Sequence, residues 1–545
     1  MISRRSFLKY TAGALGAGIT AHRVEALNGG TATFDLHPFI DAHPEAVFIM
    51  RTDVRNKTDH VAVRRAGLEF GRNVFVIKDT GGVPPDAVIP VKPNMKTSSS
   101  GKLSMDDLIG MGTDPFFVEG VLGALKEKGV DPRRFRLREV NRPEGWSDFG
   151  HVDMAERVGA DIRLDLAPEV SKLVEGRDYT WTDVPEGIWY KKIPHLEPVN
   201  TPGSWLLNIA KFKGHGMGLS LCCKNIQGTV AHNYQQFCCR HDEEMRIDPA
   251  HMHANAKEAI AASHRRHVEQ GIPRWDKPGP YGGIWQETWA ARTLDHLSVT
   301  PCGFSVIEGI YARDGNGSTS GPHPLDREHE YNESRAHSKT GLPQDYMSNI
   351  VIFGRDPFRT DIIGNWLGGQ EPGNFGLFHL AVERGLLTVV DPFDIPVYVW
   401  ENGAARLTPL ESLERTPLVN YYLTRNFNGA KESMYHLCDE PFDYSAMEGT
   451  SPPRKPGKPA VFALADGTGS YPGSSLPIEF RLHGEGQVRV EVRDGKSRYN
   501  RILSEGRYSA GSHMTLWNTT DATPGDYSIV LSGEGSEVSS RIKLR

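Results

Sequence analysis

The stretch LLNIAKFKGHGMGLSLCCKNIQGTVAH, Leu206 to His232, decides the fold. Its apolar opening, Trp205 to Ile209, reads as a buried strand. The residues after Ile209 read as a glycine-rich polar loop leaving that strand. Lys211, Lys213, His215, Cys222, Cys223, Lys224 and Asn225 are gathered there. Ligands of α/β sheets bind where loops leave the carboxyl ends of the strands, and this loop sits in such a place.

The same alternation extends in both directions. Apolar runs at Ala46–Met50, Asn73–Lys78, Ala87–Val91, Phe135–Val140, Phe304–Ile310 and Asn349–Phe353 read as strands. Between them, Thr58–Phe70 (capped by Thr58 or Asp59), Asp114–Lys128 with Pro115 in its first turn, Asp356–Leu367 and Leu377–Gly385 carry helical periodicity. The expected class is α/β, a mostly parallel sheet with flanking helices over residues 27–448. Helices rich in His, Ala, Arg and Glu are expected as an insertion around 242–270, and a long ordered loop over Arg313–Gln344. Residues 449–459, GTSPPRKPGKP, read as a proline-rich linker. Beyond it the period changes to two: Ile478, Phe480 and Leu482, then Val488, Val490 and Val492, then Tyr527, Ile529 and Leu531. Residues 460–545 are therefore expected to form a small β-sandwich.

The chain has 545 residues and a net charge of −6, which gives no reason to expect nucleic acid. Its N-terminus, SRRSFLK at Ser3–Lys9, precedes a short Gly/Ala-rich run and the small-residue site Val24-Glu25-Ala26. This resembles a twin-arginine (Tat) export signal cleaved near Ala26. It implies the Tat translocase as a partner during export, and a periplasmic or extracellular mature protein. The run is too short and too rich in glycine for a membrane anchor. Proteins exported this way cross the membrane folded, often with a cofactor already inserted, so the signal favours a bound metal or redox group.

Six cysteines occur, Cys222, Cys223, Cys238, Cys239, Cys302 and Cys438, with no C-x-x-C, so the ferredoxin-type iron–sulfur motif is absent. Cys222, Cys223, His232, Cys238, Cys239 and His241 lie close enough in sequence to hold a transition metal. Two other readings stand beside this one: disulfides formed after export, and small buried hydrophobes.

Five segments occur in a telling order: VKPNM at Val91–Met95, Thr113-Asp114-Pro115, the Lys213-x-His215 and Lys224-Asn225-x-x-Gly228 loop, Ile307 to Pro322, and FGRDPFRTD at Phe353–Asp361. Together they resemble the DUF362 family over roughly residues 45 to 400. The resemblance implies the fold and the site's location. It leaves the reaction open, since the family's role is largely unknown. Glu308 stands where the family usually shows Asp. The run AGSHMTLWNTTDATPGDYSIVL is similar to the closing strands of the Ig-like domain of flagellar hook-cap (FlgD-like) and many secreted proteins.

The expected site uses His215, Lys213, Lys224 and Glu308 for proton transfer, and Lys92, Asn94, Lys211, Asn225 and Asp361 to hold a small anionic ligand. Lysines supply charge, glycines allow close backbone approach, and a histidine titrates near neutrality. The plainer alternatives are that the lysines are solvated loop charges and that Asp356 only caps a helix. An exported enzyme acting on a small anion is the expected function. The other readings are a binding protein without catalysis, or a surface protein that works through its sandwich. Changing Arg4 and Arg5 together to Lys should hold the protein in the cytoplasm; fractionation showing unchanged export would disprove a twin-arginine route.

Overall fold

The computed structural model describes residues 33–78, 81–95, 105–141, 143–166, 170–215, 218–235, 247–270, 283–315, 345–416 and most of the strands between 460 and 544, with a few single positions besides. The export signal, the linker, Cys238, Cys239, His241, Cys438 and most of the 313–344 loop lie outside them. Among the described residues fifteen strands precede the sandwich: β1 (Thr33–Leu36), β2 (Val47–Arg51), β3 (Phe75–Lys78), β4 (Ile89–Pro93), β5 (Phe135–Leu137), β6 (Asp161–Ile162), β7 (Tyr179–Asp183) and β8 (Lys192–Leu196). Then come β9 (Leu207–His215), β10 (Gly218–Leu219), β11 (Phe304–Arg313), β12 (Asp345–Tyr346), β13 (Ile350–Gly354), β14 (Val397–Glu401) and β15 (Ala404–Leu407).

The main sheet runs β15-β14-β2-β13-β11-β9-β4-β5-β6, with β10 and β12 attached to β9 and β11. Most neighbours on the path are parallel, as expected, but β13 is antiparallel to both β11 and β2. β15 is also antiparallel, because Asn402 and Gly403 both take positive φ (52° and 77°) and close a two-residue hairpin on β14. All ten residues of β11 and eight of the nine in β9 are buried, as central strands covered on both faces must be. One face packs against the helices His60–Val74 and Pro115–Glu127. The other packs against Gly283–Val299, Pro357–Leu367 and Gly376–Glu383. The caps fall where the sequence puts them: Asp59 accepts from the Ala62 N–H, Asp114 from Phe116, and Asp356 from Phe358 and Arg359. In the inserted region the described helix is Ala256–Glu269.

Several boundaries differ from the sequence reading by two or more residues, β5 for instance ending at Leu137 and not at Val140, and two of them bear on the site and the sheet. Asn73 and Val74 belong to the preceding helix, so β3 begins at Phe75. More consequentially, β9 does not end at Ile209. It runs to His215, so Lys211 and Lys213 are strand residues and not loop residues. Charged side chains inside the apolar run hid this continuation; pairing with β11 through Glu308↔Lys211 enforces it.

After residue 459 two antiparallel sheets form: β16 (Ala460–Phe462), β17 (Ser475–Leu482) and β20 (Gly511–Asn518) in one, and β18 (Gly486–Asp494), β19 (Asn500–Tyr508), β21 (Gly525–Gly533) and β22 (Ser536–Leu544) in the other. Ile478, Phe480, Leu482, Val488, Val490, Val492, Tyr527, Ile529 and Leu531 meet with Trp517 in one core, so the alternating positions face inward as read. Among the described residues no helix is long and apolar enough to cross a membrane.

The helices His60–Val74 and Pro115–Glu127 touch backbone to backbone. A Cβ on Gly67 would lie 2.2 Å from the Phe117 carbonyl oxygen, and one on Gly120 would lie 2.2 Å from that of Arg64. Backbone cannot yield as a side-chain tip can. Gly120→Val should therefore cost about 3 kcal/mol or more, read as a lowered thermal midpoint; an unchanged midpoint would show that the pair can separate freely.

Candidate functional site

The polar residues flagged in the sequence converge on the carboxyl ends of β4, β9 and β11, on both faces of the sheet. Side chains alternate along a strand. Lys211 therefore shares the face of Ile209, toward the helix Pro115–Glu127, while Asn208 shares the face of Ala210, toward the short helix Cys222–Asn225.

On the first face Lys211 and Glu308 are direct cross-strand neighbours and both fully buried. The Lys211 Nζ donates to Glu308 Oε2 at 2.7 Å and lies 3.7 Å from the centre of the Tyr311 ring. Glu308 also accepts from the backbone N–H of Asp114 (3.2 Å) and of Ile310 (3.1 Å). The Tyr311 hydroxyl donates to Asp114 Oδ2 at 3.0 Å. Burial, and then the charge of Glu308, push the Asp114 carboxyl up to about 6. Lys213, almost fully buried, donates to the Met111 carbonyl.

On the second face Lys92 and Asn208 are cross-strand neighbours. Lys92 Nζ donates to Glu139, to Asn225 Oδ1 (2.8 Å) and to the Pro93 carbonyl (2.8 Å). Asn225 returns its amide to the Lys92 carbonyl (3.0 Å) and to Asn208 Oδ1 (2.7 Å), and accepts from Asn94 Nδ2 (3.0 Å). Burial pushes the Lys92 ammonium down and the Glu139 carboxyl up; their mutual attraction works against both shifts. Gly228 makes room for this pair, since a Cβ there would stand 2.2 Å from Glu139 Oε1. Asp361 caps the short helix: its two oxygens accept from the N–H groups of Cys222 (2.7 Å) and Cys223 (2.8 Å), and burial pushes its carboxyl up to about 7.

The nine expected catalytic and ligand-holding residues thus fall into three groups. Lys92, Asn94, Lys211, Lys213, Asn225, Glu308 and Asp361 are buried and bonded to one another or to backbone, and do not line an open loop. His215 is half-buried at the very end of β9. Lys224 is half-buried on the outer side of the short helix and has no hydrogen-bond or ion-pair partner among the described residues. Its charge nevertheless reaches both Lys92 and Glu139.

Cys222 and Cys223 are free thiols packed in the apolar core against the second face. Burial, and then Asp361, push both well above the usual thiol range, so both keep their protons at neutral pH. His232 is half-buried at the start of the helix His232–Gln235. Among the described residues no group of three or more His, Cys, Asp or Glu side chains converges as a metal site would.

Sequence reading missed Glu139, Asn208, Tyr311 and His151. Glu139 was available, since it follows an apolar strand just as Glu308 sits within one. His151 carried no signal. It is fully buried; burial pushes it down to about 3, with the Phe149 backbone opposing the shift and Lys92 adding its charge. Beside it, Asn94 Oδ1 and Trp146 Nε1 are buried without a partner among the described residues, and the Trp146 ring lies 6.0 Å from that of His151. Such orphaned groups are rare in folded proteins.

The fold and site together define an α/β protein with a buried lysine–carboxylate network at its strand ends. Residues 89–328 match the family model described as Domain of unknown function (DUF362). The match takes in β4 to β11, hence both ion pairs, and stops short of Asp361 and β13. No curated protein matches the chain.

Removing one member of a buried pair strands the other charge. Lys211→Met or Glu308→Leu alone should cost about 3–5 kcal/mol, and the double variant should recover most of that. Chemical denaturation of the four proteins checks it; additive losses would mean that the two residues do not act as a pair.

Proposed function

We propose that the chain is an exported enzyme acting on a small anion at the carboxyl ends of β4, β9 and β11. The observation that carries this is the placement of two fully buried lysine–carboxylate pairs, one on each face, at neighbouring strand ends. Apolar residues of similar volume would be at least as stable there, so such pairs are weak stability devices. Groups held this way are candidates for proton transfer.

Lys224 is the cation placed to meet the ligand. While it is free, its charge favours the ionised form of Glu139 and the neutral form of Lys92. An anion paired with Lys224 cancels that field and raises the proton affinity of both groups. Binding and proton uptake at Lys92 and Glu139 are thereby linked, while His215, at the half-buried end of β9 and by strand alternation on the face of Lys211 and Lys213, is the group for proton exchange with substrate on that side. The arginine pair at Arg4 and Arg5 supports a Tat signal peptide and a periplasmic location. The C-terminal sandwich is read as an Ig-like module of the hook-cap type. A bound metal remains part of the reading through Cys222, Cys223 and His232 together with Cys238, Cys239 and His241. A second reading, a periplasmic binding protein without turnover, is favoured by the burial of every site lysine except Lys224.

The mature protein is titrated with inorganic phosphate, phosphate monoesters and di- and tricarboxylates, with binding read by calorimetry and turnover by NMR. At least one anion should bind with proton uptake. Lys224→Gln should weaken it roughly tenfold, a loss of ~1.4 kcal/mol, at unchanged thermal midpoint. His215→Ala should abolish turnover and leave binding in place. Affinity indifferent to Lys224 would disprove the site, and binding without turnover in the unaltered protein would establish the second reading.

A further inference from the structure

A separate cavity of about 330 Å³ opens at the same edge of the sheet, two strands further along. Its apolar wall is Ile49, Ile350, Leu367 and Leu413, all nearly fully buried members of the core on that face. Its volume is at the small end of the range for organic ligands, roughly 300–1,000 Å³.

Two polar groups in it are unspent. Arg51 closes β2 directly opposite Ile350 in the β2–β13 register, and two residues beyond Ile49 on the same face. Its side chain is exposed and has no hydrogen-bond or ion-pair partner among the described residues. Ser348 Oγ accepts from Thr416 Oγ1 at 2.8 Å, which leaves its own O–H to donate. The acid in the wall is already neutralised: Asp345 is bound by Arg313 (2.7 and 3.0 Å) and by Lys57 (2.6 Å). Arg415, also in the wall, is turned away, donating to the Trp366 carbonyl at 2.6 Å with its guanidinium 4.5 Å from the Trp366 ring. Glu414 is exposed. Counting Lys57 and Arg313 on Asp345 and the averted Arg415 with Arg51, four cations lie in or beside the cavity against two carboxylates (Asp345 and Glu414), and the net charge favours an anion.

The corner that carries Arg51 is held firmly. Asn349 takes a left-handed conformation (φ 50°), and its side chain accepts from Thr52 Oγ1 (2.8 Å) and the Val54 N–H (3.0 Å) and donates to the Val54 carbonyl (3.0 Å). A free cation, a spare hydroxyl donor and an apolar wall on a fixed corner are the parts of a preorganised site.

We propose that this cavity binds a small organic carboxylate with an apolar body, the carboxylate on Arg51 and Ser348 and the body against Ile49, Ile350, Leu367 and Leu413. Every described residue lining it lies outside the segment matched by the family model. The site is therefore independent of the lysine network and of the function proposed for it.

The full chain is titrated by calorimetry with straight-chain and aromatic monocarboxylates, phenylacetate among them, each paired with its amide. Saturable binding of at least one acid is expected, with its amide weaker by roughly tenfold or more. Arg51→Gln, at an exposed position, should lose affinity to the same degree, and Leu367→Trp should fill the cavity and abolish binding. Lys224→Gln should leave this binding unchanged, which separates it from the strand-end site. No binding by any acid, an amide equal to its acid, or an Arg51→Gln variant with full affinity would each overturn the assignment.

Discussion

The structure depends on charge enclosed by sheet. Lys211 and Glu308 are fully buried side by side on adjacent parallel strands, and Lys92 and Glu139 occupy the opposite face a strand away. Neither pair can be solvated, so each must be completed by groups that the fold delivers to it. The backbone N–H of Asp114 and the ring of Tyr311 complete the first, and Asn225 with the Pro93 carbonyl completes the second. Two of those partners, Asp114 and Asn225, come from distant parts of the chain. The strand order, the start of the helix Pro115–Glu127 and the short helix Cys222–Asn225 are thus tied to the same few polar contacts. An error in any one would leave a bare charge in the core.

The α/β alternation, the caps at Asp59, Asp114 and Asp356 and the period-two sandwich were legible because each rests on local chemistry. The hairpin turn at Asn402–Gly403 rests on equally local chemistry but was not read from the sequence. The true length of β9 was not legible. Lysines within an apolar run look like the end of a strand unless the carboxylate that neutralises them is known, and Glu308 is 97 residues away. That these polar residues gather at strand ends followed from the sequence, but their burial did not. Residue type told which groups gather, whereas exposure is decided by what covers them. The short helix that covers Lys92 is capped by Asp361, a contact spanning 139 residues. Cys222 and Cys223 show the same limit from the other side, since paired cysteines in sequence suggest ligands or disulfides and here both thiols pack as core.

Lys224 and Arg51 share one property, a cation left without a partner among the described residues at the working edge of the sheet. Around Lys224 the chemistry behind the cation is ionisable, so an anion bound there would change protonation. Around Arg51 it is aliphatic, so a molecule bound there would be selected by shape and apolar surface. The two regions differ in what they can ask of a molecule, although one edge carries both.

The reversed strand β13 has a consequence for how such a protein diverges. It joins β11, the last strand within the matched segment, to β2 by two antiparallel ladders. Backbone hydrogen bonds make that junction, and they are indifferent to side-chain identity. The sheet accordingly has a seam: on one side lies the lysine network, and at the seam itself, between β2 and β13, opens the cavity behind Arg51. Sequence can drift on either side without disturbing the join, so the two halves can be inherited together and tuned apart.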